Sequence, residues 1–92
     1  MRTPSAQYSL TIRVEIDDHP GMLGRVAGAI GDAGGTIGAI DLVEVGERLV
    51  RDVTVDAHDA DHWERILAAI NAIDGAKVID ATGFNIAGRY LD

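Results

Sequence analysis

Tyr8 to Ile16 alternates without a break. Tyr8, Leu10, Ile12, Val14 and Ile16 point one way; Ser9, Thr11, Arg13 and Glu15 point the other. A period of two belongs to a strand with one apolar and one polar face. Such a strand requires a sheet covered on one face only, with the second face left to solvent or to a partner. The covering layer has to come from the same 92 residues. A chain of this length is one domain with a thin core. An apolar content of 47% is enough to fill that core and too high for disorder.

The rest of the chain supplies the cover. Asp17-Asp18-His19-Pro20-Gly21 stops the strand, because proline has no backbone donor and disfavours the α region at the residue before it. Leu23, Val26, Ala27, Ile30 and Ala33 then recur at three and four, which predicts a helix from Pro20 to Ala33. Gly24, Gly28 and Gly31 fall inside it, each costing about 1 kcal/mol relative to alanine. Close packing of the helix backbone on the sheet is the expected compensation. Gly34-Gly35 supplies a left-handed helix end. Thr36 to Val45 and Arg48 to Ala57 read as strands joined by a short Gly46-Glu47 turn, hence an antiparallel hairpin. In the second of them Val53 and Val55 share one face, and Asp52, Thr54 and Asp56 the other. A second helix starts near His58 to Asp61, capped by Asp59 or Asp61. It carries an apolar stripe of Trp63, Ile66, Leu67, Ile70 and Ile73 and ends at Asp74-Gly75. Ala76 to Thr82 is a short fourth strand. Residues 1–7 read as a flexible lead-in, 8–82 as the domain, and 83–92 as a tail, an added strand or the start of a linker. The order β-α-β-β-α-β is that of an α+β, ferredoxin-like sandwich: a four-stranded antiparallel sheet with two helices on one face.

Charge and composition exclude several functions. Fifteen acids against eight bases give a net charge of −7, the wrong sign for a nucleic-acid backbone or an anionic membrane. An RNA-binding sheet of this topology would also need stacking aromatics, where this chain has a single Phe outside the central strands and acids at Glu15, Asp52 and Asp56. The chain has no cysteine, so disulfides, thiol chemistry and cysteine-held metals are excluded. No apolar run approaches a membrane span, and Met1 to Gln7 lack the apolar core of a signal peptide; the expected compartment is the cytoplasm. His58 and His62 lie four apart with Asp59 and Asp61 between them, a metal-pair spacing if all four were helical. They straddle the helix start, so a polar first turn is the better reading and no metal is expected. His19 beside Asp18 could exchange a proton, but no nucleophile accompanies them and no catalytic residue is assigned. The glycines form neither G-x-G-x-x-G nor a loop ending in G-K-[ST], so no nucleotide or other cofactor is expected. Trp63 reads as core or core edge.

The segment Ile16-Asp17-Asp18-His19-Pro20-Gly21-Met22-Leu23, with Gly34-Gly35-Thr36-Ile37 after the helix, carries the most information. A strand end turns directly into a helix start, where the amides of Gly21, Met22 and Leu23 would face outward and the helix dipole favours an anion. Gly21 has no side chain to hold a ligand carboxylate away. The same residues also suit a simple turn, with Pro20-Gly21 reversing the chain and Asp18 capping the helix. An acidic or amide residue at the strand end, then x-Pro-Gly-x-Leu, an amphipathic helix and Gly-x-x-Ile into a second strand resembles the ACT domain, over roughly residues 8–82. That family consists of regulatory modules that bind amino acids or other small effectors, usually where two copies meet. The resemblance implies a site made by Asp18, His19, Gly21, Met22 and Leu23 of one copy facing Gly38, Ala39, Ile40 and Asp41 of the other. Many amino-acid-binding members have Asn where this chain has Asp18. A carboxylate there attracts an amino group and repels a ligand carboxylate by about 1–4 kcal/mol at 4 Å. This departure points to an effector other than a simple amino acid, or to an unused site.

The run Tyr8 to Ile16, the segment Gly24-Arg25-Val26-Ala27 and the strand Val50-Arg51-Asp52-Val53-Thr54-Val55 look most like the ACT module preceding some bacterial NAD-dependent malic enzymes. The resemblance implies a regulatory piece of a larger enzyme, with no catalysis of its own. Its expected partners are an amino-acid-like effector and further copies of itself, as a homodimer or larger homo-oligomer. The alternative is a module that dimerises by strand pairing and binds nothing.

Overall fold

The alternating segment forms β1, Tyr8–Asp17, and it takes an interior position in the sheet. The computed structural model describes residues 8–44, 46 and 48–85. Their order is β1, α1 (Met22–Asp32), β2 (Thr36–Glu44), β3 (Arg48–Ala57), α2 (Ala60–Asn71) and β4 (Ala76–Asn85). The sheet runs β2-β3-β1-β4, wholly antiparallel, as a ferredoxin-like sandwich requires. Readings made for residues 1–7, Val45, Glu47 and 86–92 lie outside the described residues. No helix among the described residues is long and apolar enough to cross a membrane.

Register explains the core. Leu10, Ile12, Val14 and Ile16 pair with Val55, Val53, Arg51 and Leu49 of β3, so one face of the two central strands is apolar for most of its length. Met22, Val26 and Ile30 of α1 and Ile66 and Ile70 of α2 close over that face. Burial of this set at about 25 cal/mol per Å2 of apolar surface is the main stabilising contribution. In both helices the expected Val26, Ile30, Ile66 and Ile70 are buried, but the buried stripe starts one residue before the expected one. Met22 is buried while Leu23 is half-buried, and His62 is buried while Trp63 is half-buried.

Three local expectations need correction. The structure begins α1 at Met22 rather than Pro20, because a turn from His19 precedes it and the Met22 amide donates to the His19 carbonyl at 3.3 Å. Gly24, Gly28 and Gly31 do not pack on the sheet: all three are exposed, and a Cβ at any of them would meet nothing within 4 Å. β4 continues to Asn85, beyond the expected end at Thr82, because Gly83 lets the strand lie against Leu10 and Trp63. The end of α1 is as expected. Gly34 has φ +86°, its amide donates to Gly31 and the Gly35 amide to Ile30, both at 2.9 Å, which satisfies the last carbonyls.

Candidate functional site

The junction of β1 and α1 encloses an open recess of about 370 Å3. Its wall is continuous from Ile16 through Asp17, Asp18, His19, Pro20, Gly21, Met22 and Leu23, and Leu49 and Arg51 of β3 complete it. The local sequence builds this shape. The Asp17 amide donates to the Gly75 carbonyl at 2.8 Å, which pins the strand end beside the start of β4. The His19 amide then donates to the Asp17 carbonyl at 3.0 Å and tightens the turn. Gly21, at φ +87°, redirects the chain into the helix; this is a left-handed conformation that glycine adopts without strain. Gly75 packs against the same corner, where a Cβ would come within 2.9 Å of Asp17 Oδ2 and 3.0 Å of Met22 Cε.

No side chain caps α1, so Asp18 does not take the role that a simple turn would give it. Of the three amides expected to face a ligand, that of Met22 is engaged by His19. Those of Gly21 and Leu23 have no backbone partner among the described residues. Asp18, His19, Pro20 and Gly21 are exposed at the rim, Leu23 is half-buried, and Met22 and Ile16 are buried beneath. The loop residues expected from the sequence therefore share one recess.

Gly38, Ala39, Ile40 and Asp41 do not join them within one chain, because β3 stands between β2 and β1. They lie on the sheet edge. Gly38 is the extra residue of a bulge, the register passing from Ile37↔Val55 to Ala39↔Thr54, and a second shift follows between Leu42 and Glu44. Ala39 and Asp41 are exposed, while Ile40 pairs with Val53 and is half-buried against the core.

The uncovered face of the sheet is polar and internally paired. Arg13 Nε and Nη2 donate to the two carboxylate oxygens of Asp52 at 2.8 and 3.0 Å, and this directly opposed guanidinium holds the Asp52 carboxyl below the usual carboxylate range. Arg48 donates to Glu15 at 2.6 Å and reaches Asp17 at 3.2 Å; its hydrogen bond to Glu15, then the charges of Asp17 and Glu15, raise the guanidinium further above its ordinary value. Asp17 Oδ1 thereby faces Arg48 while the residue also lines the recess.

Arg51 escaped the sequence reading as a recess residue. Its signal was present, since Leu49, Arg51, Val53, Val55 and Ala57 share one phase and Arg51 alone is charged. The two helix-start histidines also differ from expectation. His62 is buried, its Nδ1 accepts from the His58 amide at 2.9 Å, and its Nε2 therefore carries the proton donated to the Ala33 carbonyl at 2.7 Å. Both ring nitrogens are occupied, and the His58 ring stacks on His62 at 5.1 Å between centroids. Asp59, not Asp61, is the cap, accepting from the His62 amide at 2.8 Å.

Comparison with known proteins agrees with the fold. Over 64 residues the chain is 39% identical to NAD-dependent malic enzyme 1 of Bacillus subtilis (strain 168), a match covering 68% of this chain and 15% of that protein. It is 33% identical over 78 residues to the NAD-dependent malic enzyme of Geobacillus stearothermophilus, covering 84% and 16%. The chain thus spans about a sixth of these curated relatives. Among solved structures it resembles the ACT domain from GTP pyrophosphokinase of Chlorobium tepidum, with TM-score 0.65 and 16% identity over 87% of this chain and 100% of that one. It also resembles the ligand-free regulatory subunit of aspartate kinase from Thermus thermophilus, with TM-score 0.59 and 21% identity over 87% and 52%. At those identities the likeness is one of fold. The model of the ACT domain matches residues 4–86, and with the βαββαβ order it places this chain in the ACT domain family.

Proposed function

We propose that this ACT domain takes up a small amino-acid-like effector in the recess at the start of α1, acts as a homodimer, and regulates a metabolic enzyme of the NAD-dependent malic enzyme kind. The observation that carries the reading is the recess itself. It sets the unengaged amides of Gly21 and Leu23 beside an exposed acid, Asp18, and a half-buried arginine, Arg51. An amino acid has the complementary pair: a carboxylate for the amides and an ammonium for Asp18. The amides of Gly21 and Leu23 and the dipole of α1 oppose the repulsion that Asp18 would exert on a ligand carboxylate. The second copy has an available edge. Ala39 to Leu42 is the regular stretch of β2 between its two bulges, and Leu42 and Val43 are 51% and 43% exposed.

Binding at a contact between two copies shifts whichever arrangement it favours, and that shift is what an attached enzyme can read. A thermal-shift and calorimetric screen of amino acids and central metabolites tests the reading. A ligand at a hundred times its dissociation constant adds about 2.7 kcal/mol to stability. No response from any of them, in a chain that light scattering shows to be dimeric, favours the plain dimerisation module instead. A single-copy mass of 9.7 kDa at tens of micromolar sinks the dimer in both.

A further inference from the structure

Arg51 occupies a position the fold reserves for apolar side chains. It pairs with Val14 of β1 and Leu42 of β2, in phase with Leu49, Val53, Val55 and Ala57, on the face that the helices cover. It is half-buried and lines the recess. The other arginines described on the central strands, Arg13 and Arg48, are paired with acids of the open face. No carboxylate among the described residues lies within ion-pair distance of Arg51, Asp18 included. An arginine at an inward-facing position with no counter-charge leaves its guanidinium donors free for a ligand that supplies one.

We propose that Arg51 is the specificity-determining residue of this recess, and that it selects an acidic amino acid over the corresponding amide by binding the side-chain carboxylate. The inference rests on the reading of the recess as an amino-acid site. A neutral amino acid matches the helix-start amides and Asp18 and leaves Arg51 unanswered. An acidic one answers all three, because its second carboxylate meets a planar donor that can bind it through two hydrogen bonds. Its amide analogue offers one neutral acceptor and brings two donors toward a cation, which a site built around Arg51 rejects.

Isothermal titration of the whole chain with L-aspartate, L-asparagine, L-glutamate and L-glutamine tests this. One acid is expected to bind roughly tenfold to a hundredfold tighter than its amide, the range for a hydrogen-bonded charge. R51Q removes that preference, and R51K retains part of it because the charge remains while the planar fork is lost. Urea midpoints of both variants verify that they fold, and R51K keeps the test decisive if R51Q does not. An amide that binds as tightly as its acid overturns the inference and leaves the amino-acid site standing. So does an R51Q variant that folds and keeps the preference. Failure of all four, with no other amino acid bound in the wider screen, overturns the site and the inference together.

Discussion

Gly83 decides how closely β4 lies beneath Trp63. A Cβ there would come within 2.6 Å of Leu10 Cδ2, 3.0 Å of the Ser9 carbonyl and 3.1 Å of Trp63 Cη2. Gly83→Ala is expected to lower stability by about 1–3 kcal/mol, read from a urea melt. Gly21 is the opposite case. Nothing lies within 4 Å of its missing Cβ, yet φ +87° strains any other residue, so the site constrains conformation and not space. His62 is a third kind of residue, a polar group holding two elements together inside the core. His62→Ala leaves the His58 amide and the Ala33 carbonyl without their partner and opens a cavity; the expected loss is about 2–4 kcal/mol. His62 was not legible in the sequence as an inward residue, and Arg51 was legible only through its phase with Leu49, Val53, Val55 and Ala57. Periodicity identifies a buried face by its apolar members, and a polar residue at the same phase reads as a boundary. Gly21 was legible because Pro-Gly after a strand has few other uses.

At the scale of elements, every strand and helix was readable, because their periods are long and regular. The misjudged parts were ends and reasons. The start of α1 moved because the turn at His19 takes the first helical amide, and the extension of β4 depended on a contact between residues far apart in sequence. The three exposed glycines of α1 have no packing role among the described residues. Gly24→Ala, Gly28→Ala and Gly31→Ala should therefore each stabilise the domain by up to about 1 kcal/mol, seen as a higher melting temperature by circular dichroism. A glycine that loses stability on this change is one whose neighbours have been misjudged. The β1–β3 ladder carries a pH dependence of its own. Arg13 depresses the folded-state value of Asp52, so their pairing contributes fully above the ordinary carboxylate range and is lost as pH falls through that depressed value. Acid titration below about pH 4 should cost the unmodified chain more stability than it costs Asp52→Asn.

For the molecule as a whole, five of the nine residues expected in the site line one recess, and the other four would need a second copy to reach it. Asp18, His19, Gly21, Met22 and Leu23 are contiguous in sequence, so a local motif could place them together. Gly38 to Asp41 are separated from them by β3, and only a second copy can bring them near. If copies join through β2, Val43→Lys should shift the light-scattering mass toward one copy while leaving the far-ultraviolet spectrum unchanged, since Val43 is exposed and sits at a register shift. An unchanged mass would move the contact to another surface.

The glycine-bearing helix also bears on how occupancy could be transmitted. Eleven residues with three glycines and no side-chain cap make a helix of low intrinsic propensity, held mainly by Met22, Val26 and Ile30. Such a segment opens locally at a smaller free energy than the better-capped α2. A molecule seated against its first turn would suppress that opening, and deuterium uptake along α1 would slow even at amides that it never touches. The message would then consist of lost fluctuation, with no displaced atom needed to carry it.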